Sequence, residues 1–204
     1  MITIVDYGLG NIRAFVNVFE RLNIKTRVAH CADDLKDVSK IILPGVGAFD
    51  HAMTQLNKSG MREELEKQVL INKVPVVGIC VGMQMLAKSS DEGILPGLGW
   101  IDGSVKIFDA SKINYKTQLP HMGWNTINPV NGHPLLSGFN SESRFYFLHS
   151  YYFVCNDPND VLATTEYGIR YASAVNKENI FGIQFHPEKS HANGIQLLHN
   201  FAKL

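Results

Sequence analysis

The sequence predicts an α/β fold of three layers, in which helices cover both faces of a mainly parallel sheet and further antiparallel strands are added to it. Two observations support this prediction. In the first half of the 204 residues, short apolar runs alternate with segments of helical periodicity, and the runs are continuously apolar, as strands buried on both faces are. In the second half, short β-rich segments are separated by turns rich in Pro, Gly and Asn. We expect one domain, residues 1–204, because this length suits a single core.

The first apolar run, Ile2–Asp6, predicts a strand that ends at the turn-forming cluster 7–11. A helix should follow, since apolar residues then recur at intervals of three and four. Ile24–Ala29 predicts the second strand, and residues 41–43 predict the third, which the following Pro-Gly pair should end. The apolar residues of the predicted helix are Ile12, Phe15, Val16, Phe19 and Leu22.

The later segments continue the alternation and then change character. Residues 61–70 carry apolar side chains at helical spacing, which predicts an amphipathic helix. Val74–Ile79 is a fourth apolar run, and Val81–Ala87 can begin a helix directly after it. Beyond Gly103, β-rich segments predict antiparallel strands, and a final apolar-periodic stretch predicts a closing helix. The segments are Val105–Phe108, Phe145–Leu148, Tyr151–Val154 and Val161–Thr165, and the closing helix contains Ile195, Leu197, Leu198 and Phe201.

Composition excludes several classes of protein. The 19 basic residues balance the 19 acidic ones, so the chain lacks a net positive field that would attract nucleic acid or an anionic membrane. The longest uncharged apolar region, Val74–Ala87, is shorter than the roughly 18 residues of a membrane span. No secretory signal follows Met1, and three scattered cysteines form neither a disulfide framework nor a zinc spacing. We expect a cytoplasmic protein that binds no metal or other cofactor, no nucleic acid and no membrane.

The segment Gly78-Ile79-Cys80-Val81-Gly82 carries the strongest chemical signal. It has the form G-x-C-x-G between a predicted strand and a predicted helix, which is the nucleophile-elbow arrangement with sulfur in place of a serine hydroxyl. The two glycines allow a sharp turn, and the N-terminus of the helix favours a thiolate. A buried core cysteine with incidental glycines is the alternative. The flanking glycines and the strand–helix context favour Cys80 as a nucleophile.

A nucleophilic thiol needs a base, and the segment from residue 184 to residue 188 offers one. Histidine suits proton transfer at neutral pH, and it needs an acceptor that fixes its tautomer. In an extended segment, residues i and i+2 point to the same side, so the Glu188 carboxylate can reach the His186 imidazole. A solvated surface turn is the alternative for this segment alone. With the elbow, the residues compose a predicted Cys80–His186–Glu188 triad.

The segment Pro44-Gly45-Val46-Gly47 follows the third predicted strand. Attack of a thiolate on a carbonyl builds negative charge on the carbonyl oxygen, and one donor aimed there is worth about 10²–10³ in rate. The backbone N–H of Val81 is a natural donor, because it follows the nucleophile. The Gly-Val-Gly loop on a neighbouring strand could supply a second donor. An ordinary strand-ending turn is the alternative.

Together these segments resemble the class I, or triad, glutamine amidotransferases. More narrowly, they resemble the glutaminase subunits of imidazole glycerol phosphate synthase. The elbow and the His-Pro-Glu segment are typical of the wide family, whereas the Asp-Tyr-Gly opening, Pro-Gly-Val-Gly and Pro-His-Met-Gly-Trp-Asn are typical of the narrower group. The resemblance implies the family's fold, and the matching segments are 6–11, 44–49, 78–84, 120–125, 149–151 and 185–190.

The resemblance also implies a role for each matching residue. Cys80 is the nucleophile, His186 is the acid and base, and Glu188 orients the histidine. The oxyanion donors are implied to come from Val81 and from the Gly45 and Val46 peptides, of which the Val46 N–H is switchable. Gln84, one of the residues implied to bind substrate, lies four positions past Cys80 on the predicted helix and therefore on the same face as Cys80. The residues implied to bind glutamine are Gly47, Gln84, Ser150 and Tyr151.

The implied function is hydrolysis of glutamine to glutamate and ammonia. The ammonia would pass to a synthase/cyclase subunit, a (β/α)8 barrel in a heterodimer, which makes imidazole glycerol phosphate and AICAR in histidine biosynthesis. Trp124, Tyr146 and Lys189 match family positions at the docking face, and Trp and Tyr are enriched in interface hot spots. The alternative for Trp124 and Tyr146 is that they only pack the sheet.

Three other functions stay open from the sequence. Residues 97–102 depart from the form typical of histidine-pathway subunits and resemble relatives that supply ammonia for amidation of a surface-polysaccharide sugar. Gly8-x-Gly10 is a partial dinucleotide-binding fingerprint, but Arg13 stands where the third glycine belongs. A triad-bearing regulatory subunit without turnover is the third alternative.

Overall fold

The chain alternates strands and helices in its first half and is rich in strands thereafter, as predicted. The computed structural model describes residues 1–130 and 132–204. In chain order the elements are β1 Ile2–Val5, α1 Ile12–Arg21, β2 Thr26–Ala29, β3 Ile41–Gly45, α2 Phe49–Lys58, α3 Arg62–Glu66, β4 Val76–Cys80, α4 Val81–Gln84, β5 Ser89–Ser90, β6 Gly103–Ile107, β7 His121–Thr126, β8 Asn128–Pro129, β9 Arg144–His149, β10 Tyr151–Cys155, β11 Val161–Tyr167, β12 Ile169–Lys177, β13 Ile180–Ile183 and α5 His191–Lys203.

An eleven-stranded mixed sheet forms the middle layer, in the order β2-β1-β3-β4-β13-β12-β10-β6-β5, with β11 and β8 joined to it through β12. The first five strands in this order are parallel. The antiparallel part is more extensive than the sequence pattern indicated, because β12 is nine residues long and pairs with β13, β10 and β11. The fold is therefore α/β with both kinds of pairing.

Helices cover both faces of the sheet. The connection from β1 through α1 to β2 steps in one direction along the sheet, and the connection from β3 through α2 and α3 to β4 steps in the other. Because such connections are right-handed, the two sets of helices lie on opposite faces. α5 packs against α1 on one face, and a 3₁₀ turn, Ala32–Leu35, packs against α3 on the other. The three-layer prediction is confirmed.

Phe145–Leu148 is a strand, but it does not extend the large sheet as predicted. It belongs to β9, which pairs with β7 in a separate two-stranded antiparallel sheet. The sequence did not predict β7, because the residues from 121 to 126 contain a glycine and a single β-branched side chain, and both features are unfavourable signals for a strand. The register of this small sheet places Trp124 opposite Tyr146 and His121 opposite His149.

Several predicted element ends differ from the observed ones. β3 continues through Pro44. The proline is tolerated because β1 pairs with β3 only as far as Ile42, so no strand on that side requires a backbone N–H from residue 44. The helix predicted over 61–70 is α helical to Glu66 and then forms a π-helical turn, Lys67–Ile71. α4 ends at Gln84, after which backbone bonds from i to i−3 tighten the chain.

One hydrophobic cluster extends along the chain from Ile2 to Phe201. Near the second sheet, the Phe185 ring lies 4.2 Å from that of Phe145 and 5.5 Å from that of Phe147, measured between centroids. These contacts anchor the chain directly before His186. Within the described residues, no helix combines the length and apolar character needed to cross a bilayer.

We predict that Phe19→Ala lowers the free energy of unfolding by about 3–5 kcal/mol, because it leaves a cavity where a fully buried ring fills the interface of α1 with the sheet. Glu20→Ala, at an exposed position of the same helix, should change the free energy by less than about 0.5 kcal/mol. Urea denaturation followed by circular dichroism measures both. Equal losses in the two variants would contradict the assignment of this helix face to the core.

Candidate active site

Cys80 occupies a sharp turn between β4 and α4. Its backbone has φ +55° and ψ −112°, a conformation that non-glycine residues adopt at a cost in energy. Both flanking glycines are required by close backbone contacts: a Cβ on Gly82 would overlap the Leu43 carbonyl, and a Cβ on Gly78 would overlap the Gly82 carbonyl. The strand–turn–helix geometry expected of a nucleophile elbow is present, with the cysteine at its tip.

His186 and Glu188 form a buried hydrogen-bonded pair. The His186 Nδ1–H donates to Glu188 Oε1 at 2.9 Å, and only 5% and 3% of the two side chains are exposed, which rules out the solvated-turn alternative. The predicted contact is present, but the reason given for it was wrong. The residues are not extended: Pro187–Lys189 is a 3₁₀ turn that starts after His186 and brings the carboxylate back to the ring. This hydrogen bond leaves Nε2 for proton exchange.

The surroundings of His186 stabilise its charged form. Burial alone would lower the pKa of the ring, but the neighbouring Cys80 side chain and the Glu188 carboxylate outweigh burial and raise the pKa to about 10. At neutral pH His186 is therefore an imidazolium, a form that can donate a proton. The Cys80 Sγ also lies 3.9 Å from the Leu148 carbonyl oxygen and 3.9 Å from Gln184 Nε2.

A cavity of about 310 Å³ opens beside Cys80. Its size falls at the lower end of the range for small-molecule sites. Most of the predicted site residues line it. Glu188, Trp124 and Tyr146 do not, and neither does Gly45, which pairs in register with Cys80 within the sheet. The predicted residues at the cavity are Val46, Gly47, Cys80, Val81, Gln84, Ser150, Tyr151, His186 and Lys189.

Gln84 is held inside this cavity wall and does not face solvent. Its side-chain Nε2 donates to the Tyr151 carbonyl and to Gln184 Oε1, each at 3.2 Å. Only 2% of the residue is exposed, so its amide is not solvated. The two glutamine amides thus connect the Tyr151 backbone to the neighbourhood of the Cys80 sulfur.

The opening segment of the chain supports the Gly-Val-Gly loop. The Tyr7 hydroxyl, buried under this loop, donates to the Pro44 carbonyl at 2.7 Å, and a Cβ on Gly10 would meet the Pro44 ring. The Gly8 N–H is bonded to Asp6 Oδ1 at 3.1 Å. Gly10 therefore serves packing against the loop after β3, and Gly8 serves the turn through its φ of +90°, so neither glycine supports the dinucleotide-binding alternative.

The family model described as Glutamine amidotransferase class-I matches residues 3–204. The chain belongs to this family. Relatives named imidazole glycerol phosphate synthase subunit HisH align over the whole of both chains: that of Bdellovibrio bacteriovorus is 56% identical over 204 residues, and that of Leptospira interrogans is 50% identical over 204 residues. The chain is therefore an enzyme, a glutamine amidotransferase.

Solved structures agree with this membership at the level of the fold. One described as the crystal structure of a glutamine amidotransferase has a TM-score of 0.74 at 19% identity, over 99% of this chain and 97% of that one. A chain of the PurLQS structure from Thermotoga maritima likewise has a TM-score of 0.74 at 19% identity, over 99% and 97% of the two chains. The predicted class I amidotransferase fold is confirmed.

Three side chains of the amidotransferase form a surface cluster beside the active site, which we call the aromatic patch: Trp124, Tyr146 and Lys189. The rings of Trp124 and Tyr146 meet edge to face with centroids 6.2 Å apart, and Lys189 Nζ lies 5.7 Å from the Tyr146 ring centre. His191 stacks on Trp124 at 5.2 Å. Because 39% of Trp124 stays exposed, sheet packing does not account for it.

Sequence reasoning missed further side chains at the site. Among the described residues that line the cavity, Glu92 is the one acidic side chain, and it accepts a hydrogen bond from the Phe49 N–H at 2.8 Å. Burial raises the pKa of Glu92. His149, which lines the cavity, and His121, whose ring lies 5.2 Å from it, are inside recognised segments but had no assigned role, and both are buried. No spacing pattern links these residues to the elbow, because tertiary contacts bring them there. Across residues 1–130 and 132–204, no cluster of three His, Cys, Asp or Glu side chains suits a metal ion.

We predict that Glu188→Gln lowers the pKa of His186, because a neutral amide stabilises the imidazolium less than a carboxylate does. The folded-state pKa of about 10 exceeds the ordinary 6.5, so proton binding by His186 stabilises the wild-type fold fully below pH 6.5. That stabilisation is lost as the pH rises through about 10, and in the variant the loss should be complete at a lower pH and smaller in total.

A pH titration of the His186 ring nitrogens by NMR measures the change in pKa. Urea unfolding at several pH values between about 6 and 10 measures the accompanying change in the free energy of unfolding. Glu178→Gln is the matched control, because that carboxylate pairs with Lys73 at the surface. An identical His186 titration in wild type and Glu188→Gln would contradict the coupling.

Proposed function

We propose that the chain is the glutaminase subunit of an imidazole glycerol phosphate synthase and acts in histidine biosynthesis in the cytoplasm. The full-length relatives at 50% and 56% identity carry that name, which supports the pathway. The observation that carries the chemistry is the strained Cys80 elbow beside the buried His186–Glu188 pair. The free cysteines Cys31, Cys80 and Cys155 fit a reducing compartment.

The proposed reaction has two halves. The Cys80 thiolate attacks the side-chain amide carbon of glutamine, and the imidazolium of His186 gives its proton to the amide nitrogen as the C–N bond breaks, so that ammonia departs and a glutamyl thioester remains. Water then attacks the thioester and gives one proton to the neutral His186. The C–S bond breaks, which restores the Cys80 thiolate and the imidazolium, and glutamate leaves as a carboxylate whose second proton passes to solvent. Glu188 keeps Nδ1 protonated through both halves, so that Nε2 is the atom that exchanges protons.

The cavity offers groups for each part of glutamine. The backbone N–H of Val81 and a peptide of the Gly45–Gly47 loop are the proposed donors to the developing oxyanion. Gly47, Gln84 and the Ser150–Tyr151 backbone are the proposed binding groups. We add Glu92, whose carboxylate is available to the substrate's α-ammonium group.

A partner subunit is part of the proposal, because ammonia released into water is mostly protonated and lost as a nucleophile. An enclosed route into a synthase/cyclase barrel would prevent this loss. The aromatic patch is the proposed docking face: it combines exposed aromatic area with a cation, and Lys189 directly follows Glu188. The proposed complex makes imidazole glycerol phosphate and AICAR.

The surface-sugar alternative depends on residues 97–102. In the structure this stretch bonds to the backbone behind the elbow, with Leu98 N–H donating to the Met85 carbonyl at 2.8 Å and Ile101 N–H to the Leu86 carbonyl at 3.1 Å. Trp100 is buried there. Because the stretch supports α4 and lies outside the cavity lining, its sequence gives no reason to prefer a sugar acceptor.

We predict that Cys80→Ala lowers glutamine hydrolysis by at least about 10³-fold while the fold, and synthesis from added ammonia in the complex, persist. Glutamate release with the synthase partner present measures the loss. Cys31→Ala and Cys155→Ala are matched controls and should retain activity. A glutamine-mimicking electrophile should label Cys80 and spare Cys155, because burial raises the pKa of the Cys155 thiol to about 12. Near-normal turnover in Cys80→Ala would refute the assignment.

We predict that the isolated chain has low glutaminase activity, and that a synthase subunit with its acceptor bound stimulates it strongly by reorienting the Gly45–Gly47 peptides. Trp124→Ala should weaken the complex by about 30-fold in Kd, as truncation of a hot spot does. Ile71→Ala, an exposed apolar residue on the π-helical turn, is the control and should leave Kd unchanged. Full activity of the isolated chain, unchanged by any partner, would indicate a stand-alone amidase.

A further inference from the structure

Three buried side chains that the proposed mechanism does not use form a continuous hydrogen-bonded chain. His149 Nδ1 lies 2.7 Å from the Tyr151 carbonyl oxygen, and His149 Nε2 lies 3.2 Å from the Tyr171 hydroxyl. The same hydroxyl lies 3.2 Å from His121 Nδ1, and His121 Nε2 lies 3.3 Å from Asn125 Nδ2. This series of hydrogen bonds runs from Asn125 on β7 to the backbone carbonyl of Tyr151, a residue that lines the cavity.

The two ends of this chain fix the direction of every bond in it. At the cavity end a carbonyl oxygen can only accept, so His149 must carry its proton on Nδ1. At the β7 end, Asn125 Oδ1 accepts from the Thr126 N–H at 2.8 Å and Asn125 Nδ2 donates to the Glu166 carbonyl at 2.9 Å. The amide orientation is thereby set, and Nδ2 is the donor toward His121.

The bonds between these ends follow when both rings are neutral, because donation by the Tyr171 hydroxyl to the neighbouring Thr165 side chain would leave the buried His149 Nε2 without a donor. Since His149 Nε2 is then an acceptor, the Tyr171 hydroxyl must donate to it. The hydroxyl has no second proton, so His121 Nδ1–H must donate to the Tyr171 oxygen. His121 Nε2 is left to accept from Asn125. Each of the four side chains donates one hydrogen bond in the direction of the Tyr151 carbonyl, and every polar atom along the series has a partner.

The surroundings keep both rings neutral. Burial lowers the pKa of His149 to about 3 and that of His121 to about 4. The His149 ring lies 5.5 Å from that of Phe108, and the His121 ring stacks at 4.0 Å on that of Tyr167. The charged forms of His121 and, to a smaller extent, His186 further lower the pKa of His149. The two rings therefore act as fixed dipoles.

We propose that His149, Tyr171 and His121 are positioning residues that hold the Tyr151 carbonyl, and with it the Ser150–Tyr151 segment, in the geometry that binds glutamine. The Tyr151 carbonyl is shared: it accepts from His149 Nδ1 and from Gln84 Nε2, and Gln84 itself lines the cavity. A shift of this carbonyl would therefore move both the backbone and the amide that contact the substrate. This inference depends on the proposed function in one respect, that the ligand is glutamine.

The first test determines the histidine tautomers directly and requires no activity measurement. Long-range ¹H–¹⁵N correlation spectra of histidine-labelled full chain at pH 7.5 should give both His149 and His121 as Nδ1–H tautomers with unprotonated Nε2. In Tyr171→Phe both rings lose their shared partner, and the His121 nitrogen shifts should change. An Nε2–H tautomer or an imidazolium at His149 in the wild-type chain would overturn the proposal.

The second test measures glutamine binding by calorimetry in the Cys80→Ala background, where no turnover occurs. Tyr171→Phe should raise the dissociation constant about threefold to tenfold, the effect of losing one hydrogen bond. Tyr152→Phe is the matched control: its ring lies 5.9 Å from that of Tyr171, and its hydroxyl has no hydrogen bond within the described residues. It should change the constant less than twofold.

A rescue pair separates positioning from packing. His149→Leu removes the donor to Tyr151 and should weaken glutamine binding at least as much as Tyr171→Phe, whereas His149→Asn places an amide N–H near the former Nδ1 and should recover most of the loss. Unchanged glutamine binding in Tyr171→Phe, or equal weakening in Tyr152→Phe, would overturn the positioning role alone. If the Cys80→Ala chain has the stated tautomers but binds no glutamine, the proposed function fails, and the role in glutamine binding fails with it.

Discussion

The architecture of the site depends on one steric constraint, the contact of three backbone segments around Cys80 with no side chain between them. A Cβ on Gly82 would overlap the Leu43 carbonyl, and a Cβ on Gly45 would overlap the Gly82 amide. β3 and the start of α4 can therefore touch, which fixes the loop after β3 in register with the nucleophile. The Tyr7 hydroxyl secures the same loop from the other side through the Pro44 carbonyl.

Strand order then brings the base to the nucleophile. β4 and β13 are parallel neighbours with Ile79 opposite Ile183, so the residues that follow them emerge at the same edge of the sheet. The chain after β13 is tied to the small sheet, since the His186 N–H donates to the Tyr146 carbonyl at 2.8 Å. Tyr146 belongs to the aromatic patch, which means that one backbone hydrogen bond separates the proposed docking face from the proposed acid and base.

Local patterns predicted the parts of this enzyme that local physics determines. The elbow, the His186–Glu188 contact and the first parallel strands follow from glycine spacing, short separation and continuous apolar runs. The separate β7–β9 sheet, the support of Pro44 by Tyr7, and the roles of Glu92 and His149 depend on residues far apart in the chain. The end of β3 was predicted wrongly for a related reason: a proline ends a strand only where a neighbour needs its N–H, and β1 does not reach that far.

The two histidines nearest the cavity illustrate how surroundings assign different tasks to one residue type. His186 faces a carboxylate and a thiol, which raise its pKa to about 10 despite burial, so it can carry and transfer a proton. His149 faces a carbonyl and a hydroxyl, dipoles that do not offset burial, and its pKa is lowered to about 3. A charged His149 would repel the imidazolium of His186 and lower its pKa. Separating the two pKa values by environment leaves one ring for chemistry and the other for the fixed geometry that the chemistry needs.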